Sequence, residues 1–515
     1  MFVIVFGGSP RSTSAQTIIY VDATAPGAGN GTTWSTSYRF LQDALADAAT
    51  FPEFTSVEIR VAQGFYRPDQ RELAPGGTGS RAESFLLLEF VSIQGGFAGL
   101  TEASPDDRNV ILYPTILSGD LLENDVPEFL NMEENVFHVV AADAGVLDGV
   151  TIQGGNADAV VPNNYGAGMV IQGGGPLVRN CIFRWNRCTG DGAAVHISKD
   201  NGSRFFDCRF EENYAQNTGG AIRSVFSSPE FVRCDFISNT ADSSGGAVVI
   251  DNSGCPDFWN CRFLSNNGNG GDGGGAVANT GSCTSIFANC LFAGNFGVDG
   301  GAIMCDAGIV NVYSSTFVAN STSDDGGAIA LYSNGTEIDN SIFWGNTPDE
   351  ISTGFSVATL RACDVQGGWA GAGSGNIDLD PMFLDVDGPD DDLLTLEDNN
   401  YRLMVGSPCI DQADAMNLPT DTSDVDGDGD DFELLPVDLD DTPRVLNLNL
   451  DMGAYESDHC PADSDGSGGI EVLDLLDLLA KWGLCSVPCP EDNDGSGTVD
   501  VLDLLDLLAA WGACP

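Results

Sequence analysis

Two stretches near the end of the sequence, "DSDGSGGIEVLD" (463–474) and "DNDGSGTVDVLD" (492–503), repeat one spacing of oxygen-bearing residues. In the first, Asp463, Asp465, Ser467, the Gly469 carbonyl, Glu471 and Asp474 fill positions 1, 3, 5, 7, 9 and 12 of a twelve-residue loop. In the second the set is Asp492, Asp494, Ser496, the Thr498 carbonyl, Asp500 and Asp503. Gly468 and Gly497 hold the sixth position, where such a loop turns sharply. Hard oxygens at this spacing suit Ca2+, which takes about six to eight of them, water included. Ile470 and Val499, at position 8, are expected to point inward and join the two loops. A third acidic run, "DTSDVDGDGDDFE" (421–433), copies the first half of such a loop through Asp424, Asp426, Asp428 and Gly429. Leu435 stands at its twelfth position. The run is therefore either an additional metal site completed from elsewhere or a solvated acidic loop.

The elements that must hold the two complete loops are short. Residues 460–485 and 489–514 are a tandem duplication, identical at 19 of 26 positions. One helix-forming run, "VLDLLDLLA", follows each loop, and no helix-forming run precedes the first, which comes after Cys-Pro. This arrangement resembles the dockerin family. The resemblance implies a Ca2+-dependent module at 457–515 that binds a cohesin-like or other cell-surface anchoring protein. It also implies partner-binding positions at Val472, Leu473, Val501 and Leu502. Two features depart from the family: the twelfth position is Asp, and Cys460, Cys485, Cys489 and Cys514 flank the repeats. The cysteines suggest one staple per repeat, useful in so small a domain.

Upstream the chain repeats on a longer period. "CIFRWN", "CRFEEN", "CDFISN", "CRFLSN", "CLFAGN", "STFVAN" and "SIFWGN" align Phe183, Phe210, Phe236, Phe263, Phe292, Phe317 and Phe343 at spacings of 25–29 residues. Gly-Gly-Ala elements keep step with them. Short alternating apolar runs broken by Gly, Asn and Asp are strand and turn chemistry. In C-x-F the Cys and Phe share a face, because strand side chains alternate. Units this small bury an apolar face only by stacking. The prediction is a mainly β chain: a right-handed parallel β-helix with three short strands per coil, followed by the small α-helical calcium-loop domain. The recurrent Asn is expected to adopt the left-handed turn and to bond along the axis. Cys181, Cys208, Cys234, Cys261 and Cys290 are expected as a buried, reduced stack, and Cys255 and Cys283 lie where a bridge could form. "YRFLQDALADA" has helical spacing and is expected to cap the N-terminal end. Residues 17–365 resemble the right-handed β-helix family of bacterial surface proteins, including the polymorphic outer-membrane-protein type. "YRLMVGSPCIDQADA…DMGAYE" (401–456) is similar to the portion that closes such helices. The resulting partition is a truncated secretion signal (1–16), an N-terminal cap and first strands (17–84), the β-helix (85–365), a closing region with the acidic loop (366–456) and the dockerin-like domain (457–515).

A formal net charge of −56, from 76 acidic against 20 basic residues, excludes a nucleic-acid role and favours divalent cations or a screening medium. No run of 18 apolar residues is present, so no helix is expected to span a membrane. The apolar start "MFVIVFGGSPRSTSAQ" fits export. For catalysis the reading is negative. The β-helix lyase stretches "WIDH" and "RxPxxR" are absent, His138, His196 and His459 are scattered, and no triad is visible. Asp191, His196, Lys199 and Arg223 fall in adjacent coils. Asp191, Asp242, Asp272, Asp299, Asp324 and Asp325 precede the Gly-Gly elements as a rough row, suited to cations or a polyhydroxylated ligand. The expected function is a secreted, cell-surface binding or adhesive protein, with a polysaccharide lyase or glycoside hydrolase carrying a dockerin as the alternative.

Overall fold

The computed structural model describes the chain apart from residues 1–15, 53, 201, 272, 391, 393–394, 431, 447–449, 458–468, 471, 485–497, 510 and 514–515. It forms two compact units, Met1–Arg209 and Phe210–Pro515. Each is a parallel β-solenoid in its coiled part. In the first unit one coil runs through the strands Leu177–Arg179, Ile182–Arg184, Arg187–Cys188 and Val195–Ser198. The first three pair in parallel with Val146–Asp148, Thr151–Gln153 and Asn156–Ala157 of the preceding coil, and the last with Met169–Gln172. A coil thus has four strands where three were expected. The extra one is a two-residue ladder directly after the Asn turn, too short to carry a hydrophobic pattern. Helix α1 (Leu41–Ala48) buries Leu41, Ala44, Leu45 and Ala48, the i, i+3, i+4, i+7 stripe of an amphipathic helix. That stripe packs on Thr17–Val21, Val57–Ala62 and Phe85–Leu87.

In the second unit the C-x-F register holds. Phe210, Phe236, Phe263, Phe292, Phe317 and Phe343 stack face to face at 4.6–4.9 Å within 8° of parallel. Phe231, Phe258 and Phe287 form a second stack, edge-on to the first. Parallel strands in register force identical side chains on top of one another, so each ring's neighbours are the same ring one coil away.

The Asn ladder is present, with a correction. Asn239 Nδ2 donates to Asn266 Oδ1 (3.0 Å) and to the Phe210 carbonyl (2.8 Å), and the pattern continues through Asn295, Asn320 and Asn346. The left-handed residue is not this Asn but the one before it: Ser238 (φ 53°), Ser265 (54°), Ala319 (52°). The Asn side chain must face inward to bond the stack, so the turn strain falls on its neighbour. A second left-handed position precedes the Cys position of C-x-F: Arg233, Asn260, Asn289, Ser314 and Asn340.

The ladder ends on a carboxylate. Glu350 Oε1 accepts the Asn346 amide at 3.3 Å and Oε2 accepts Asn346 Nδ2. Glu350 is 6% exposed, and burial pushes its carboxyl up to about 7. A carboxyl raised in the folded state holds a proton that the unfolded chain releases. Its contribution is therefore present below about pH 4.5 and lost as pH rises through 7, a swing of roughly 3 kcal/mol. Glu350→Gln trades one accepting oxygen for a donor and starts lower, but it does not titrate, so the wild type's lead in denaturant midpoint at pH 4.5 is expected to shrink or reverse at pH 8. Equal wild-type-to-variant differences at both pH values would remove Glu350 as the titrating group.

Residues 383–455 lie along the flank of the second unit. The outward side chains of its coils are apolar (Ile237, Leu264, Leu291, Val318, Ile342), and Phe383, Leu396, Tyr401, Cys409 and Met452 cover them. The segment is pinned to the Asn turns: Asn289 Nδ2 donates to the Val437 carbonyl at 2.5 Å, and Asn340 Nδ2 to the Asp414 carbonyl at 3.0 Å. Arg444, fully enclosed, donates through Nη2 to the carbonyls of Asp451 and Gly453 at 2.8 and 2.6 Å.

The described cysteines are free thiols. Cys181, Cys208, Cys234, Cys261 and Cys290 are buried, as expected. Cys255 and Cys283 are unbridged. Burial and the neighbouring Cys255 thiol push Cys283 up to about 12. Among the described residues no helix is long and apolar enough to cross a membrane.

Candidate metal centres

The C-terminal loops are held by helices α2 (Val472–Ala480) and α3 (Val501–Ala509). Asp463, Asp465, Ser467, Glu471, Asp492, Asp494 and Ser496 lie outside the described residues, as do all four flanking cysteines. What is described is the second half of each loop. Asp474 and Asp503, the twelfth positions, fall in the first turns of their helices and are fully buried. Asp503 Oδ2 accepts the Asp500 backbone amide at 2.7 Å, while Asp500 Oδ1 accepts that of Leu502 at 2.8 Å. The two side chains cap amides at the start of α3, Asp500 that of Leu502 and Asp503 that of Asp500. This fixes both carboxylates at the positive end of the helix, where the loop returns.

Gly469–Ile470 pairs antiparallel with Gly512–Ala513, and Gly483–Leu484 with Thr498–Val499. Each loop therefore pairs with the chain that follows the other helix, not with the other loop. Ile470 and Val499 do share one core, with Leu478 and Leu507. Two helices this short leave the rest of their apolar surface outside. Val472, Leu473, Leu476, Leu479 and Trp482 are 48–59% exposed, and Val501, Leu502, Leu505, Leu508 and Trp511 are 45–56% exposed.

At 421–433 the structure assembles more than the sequence pattern indicated. Ligand oxygens of Asp424, Asp426 and Asp428 lie within 4.8 Å of one another, and those of Asp421, Asp426 and Glu433 form a second such trio. Two Asx turns, Asp428 N to Asp426 Oδ1 (3.2 Å) and Asp430 N to Asp428 Oδ1 (2.8 Å), and a longer bond from Gly429 N to Asp424 Oδ1 (2.9 Å) build the loop. Asp421, fully buried, accepts the amides of Ser423 and Val425. Desolvation and then the neighbouring Asp428, Asp426, Asp430 and Asp421 raise the Glu433 carboxyl, whose Oε1 is enclosed without a donor. Leu435, the twelfth position of a calcium loop, is instead buried in the core. Glu433 and Asp421 are the acids that the spacing rule missed, because they close the site outside the twelve-residue register. All-oxygen donors of this kind suit a hard divalent cation.

Among the described residues, the acidic row and the basic cluster form no such centre. Asp242 accepts the Tyr214 hydroxyl at 2.6 Å. Tyr332 is pushed up to about 12 by burial and then by Asp299, Asp325 and Asp324. Asp272 is outside the described residues. Among the described residues, none of this row belongs to a three-ligand group. His196 stacks on Tyr165 at 4.1 Å, and Arg223, in the second unit, pairs with Asp251 at 2.6 Å. His138 Nδ1 lies 3.0 Å from the Gly166 carbonyl, and burial lowers its pKa. A cleft of about 500 Å3 in the second unit is lined by Asn346, Asp349, Glu350, Gln366 and Trp369.

No protein-family model matches this chain. No curated protein matches it. Among solved structures it is similar to one titled "Crystal structure of pectate lyase Pel9A", at 14% identity and a TM-score of 0.47, with 86% of this chain and 97% of that chain covered. At that identity and TM-score, no residue of this chain takes a role from the likeness.

Proposed function

We propose that this protein is secreted and presents a polysaccharide-directed β-solenoid on a Ca2+-dependent docking module of the dockerin type. The observation that carries the docking half is the duplication in α2 and α3. Each helix buries its twelfth-position aspartate completely while leaving Val472 and Leu473, or Val501 and Leu502, more than half exposed. Carboxylates sealed at helix N-termini suit a cation, and matched apolar faces suit a protein partner. A cohesin-like surface protein is the occupant this geometry favours. Full-length protein is expected to be retained on the surface of its source cells in Ca2+ and released by chelator. Leu473→Ala/Leu502→Ala is expected to abolish retention, while either single change weakens it less, because the two faces are interchangeable. Retention that is indifferent to chelator, or unchanged in the double variant, would refute the docking reading.

For the solenoid, the cleft at Asn346–Trp369 supports cleavage over simple adhesion. It sets amide and carboxylate side chains beside an indole, the usual furniture of a sugar subsite. Its Glu350, held up to about 7, is a carboxyl that still carries a proton near neutral pH. A panel of acidic and neutral polysaccharides incubated with wild type and Glu350→Gln separates the cases. Chain shortening lost in the folded variant supports an enzyme, binding without shortening returns the adhesive reading, and no binding removes both.

A further inference from the structure

The loop between the strands Thr115–Ser118 and Val140–Ala142 of the first unit carries a second kind of oxygen cluster. Ligand oxygens of Asp120, Asp125 and Glu134 lie within 4.8 Å of one another. No recognisable loop spacing relates them. Asp120 is held by three backbone amides, those of Leu122 and Asn124 on Oδ1 and that of Asp125 on Oδ2.

A separate side chain points to what the cluster is for. Asn135 is fully buried. Its carboxamide is laid against the acids: Nδ2 donates to Asp125 Oδ2 and to the Gly154 carbonyl, both at 2.7 Å. Its Oδ1 is enclosed and meets no donor. Asp125 Oδ1 and Glu134 Oε1 are enclosed without a donor as well. Enclosed oxygens without donors are rare and unfavourable, since each has lost its water. Arg67 donates to the Leu121 carbonyl at 2.9 Å and pairs with Glu123 at 3.1 Å, and Arg81 donates to the Asn135 carbonyl at 2.6 Å and pairs with Asp158 at 2.7 Å, so both guanidiniums are spent on the loop's backbone and on other acids. The loop ends are pinned, with Val136 N on the Gly119 carbonyl and Asn156 Nδ2 on that of Met132. The cluster is thus built into the first unit and does not hang from it.

We propose that Asp120, Asp125, Glu134 and Asn135 form a binding site for a hard divalent cation of the Ca2+ class, distinct from the C-terminal loops and from the 421–433 run. Burial pushes Asp125 up to about 7, the bond from Asn135 opposes the rise, and Asp120, Glu134 and Glu133 add smaller contributions to it. The site stands independently of the docking and polysaccharide readings.

Crystals of the full chain soaked in Tb3+ are expected to show an anomalous peak within coordination distance of Asp120, Asp125 and Glu134. Native mass spectrometry in Ca2+ is expected to count one ion fewer for Asp125→Asn/Glu134→Gln than for wild type. In chelator that variant is expected to melt no lower than wild type, because the repulsion is gone. An equal ion count, or a Tb3+ map with no peak there, overturns the site. If the variant does not fold, the anomalous map on wild type decides alone.

Discussion

Phe236→Asp is expected to unfold the second unit's coils. Phe236 lies between Phe210 at 4.9 Å and Phe263 at 4.7 Å, with the edges of Phe231 and Phe258 at 5.7 and 6.1 Å. It has no exposed surface. Truncating such a ring to Ala costs about 3–5 kcal/mol in lost transfer energy and cavity. A carboxylate there adds several kcal/mol more, because it would sit among four phenylalanine rings. The sum is comparable with the roughly 5–15 kcal/mol that holds a domain together. Solenoid coils draw their stability from their neighbours, so the loss spreads along the stack. Circular dichroism and a thermal melt check it, with Phe236→Leu as the apolar control expected to keep the fold. A wild-type melt for Phe236→Asp would mean that this side chain does not face the core.

The second large effect is expected in the C-terminal helices when Ca2+ is withdrawn. Each loop gathers four carboxylates: Asp463, Asp465, Glu471 and Asp474 in one, Asp492, Asp494, Asp500 and Asp503 in the other. The core that α2 and α3 share consists of Ile470, Leu478, Val499 and Leu507, with Leu475 and Leu504 packed against it. At roughly 1.5–3 kcal/mol per buried side chain, it is too small to overcome that repulsion together with the ordering of the loops. Cation binding and folding should therefore be one event. Hydrogen exchange on the full chain is expected to show protected amides in α2 and α3 with Ca2+ and unprotected ones in chelator, while the solenoid amides stay unchanged. Asp474→Ala/Asp503→Ala is expected to leave both helices unprotected even with Ca2+, and to bind two ions fewer by calorimetry. Protection that is unaltered by chelator would make the module a metal-independent helix pair.

The inward rows of Cys, Phe and Asn were legible in the sequence because they depend on two local facts: side chains alternate along a strand, and a coil returns after a nearly constant number of residues. The calcium-type spacing at 463–474 and 492–503 is legible for the same reason, since one short loop supplies its donors. Even within this local range the left-handed turn was placed one residue late. Ladder bonding and turn strain fall on neighbouring residues, and the repeat alone does not separate them. The remaining features needed tertiary structure. Ile237, Leu264 and Leu291 look like surface errors until residues 383–455 are seen to cover them. Glu350 is unremarkable until it stands where the next ladder Asn would be. Glu433 joins Asp421 only when the loop closes outside the calcium register, and Asp120, Asp125 and Glu134 meet only because a solenoid insertion folds back on Asn135. The period of a coil is written in neighbouring residues, whereas which acids of a loop meet, and which distant segment covers a flank, are settled only once the coils have set where the chain folds back.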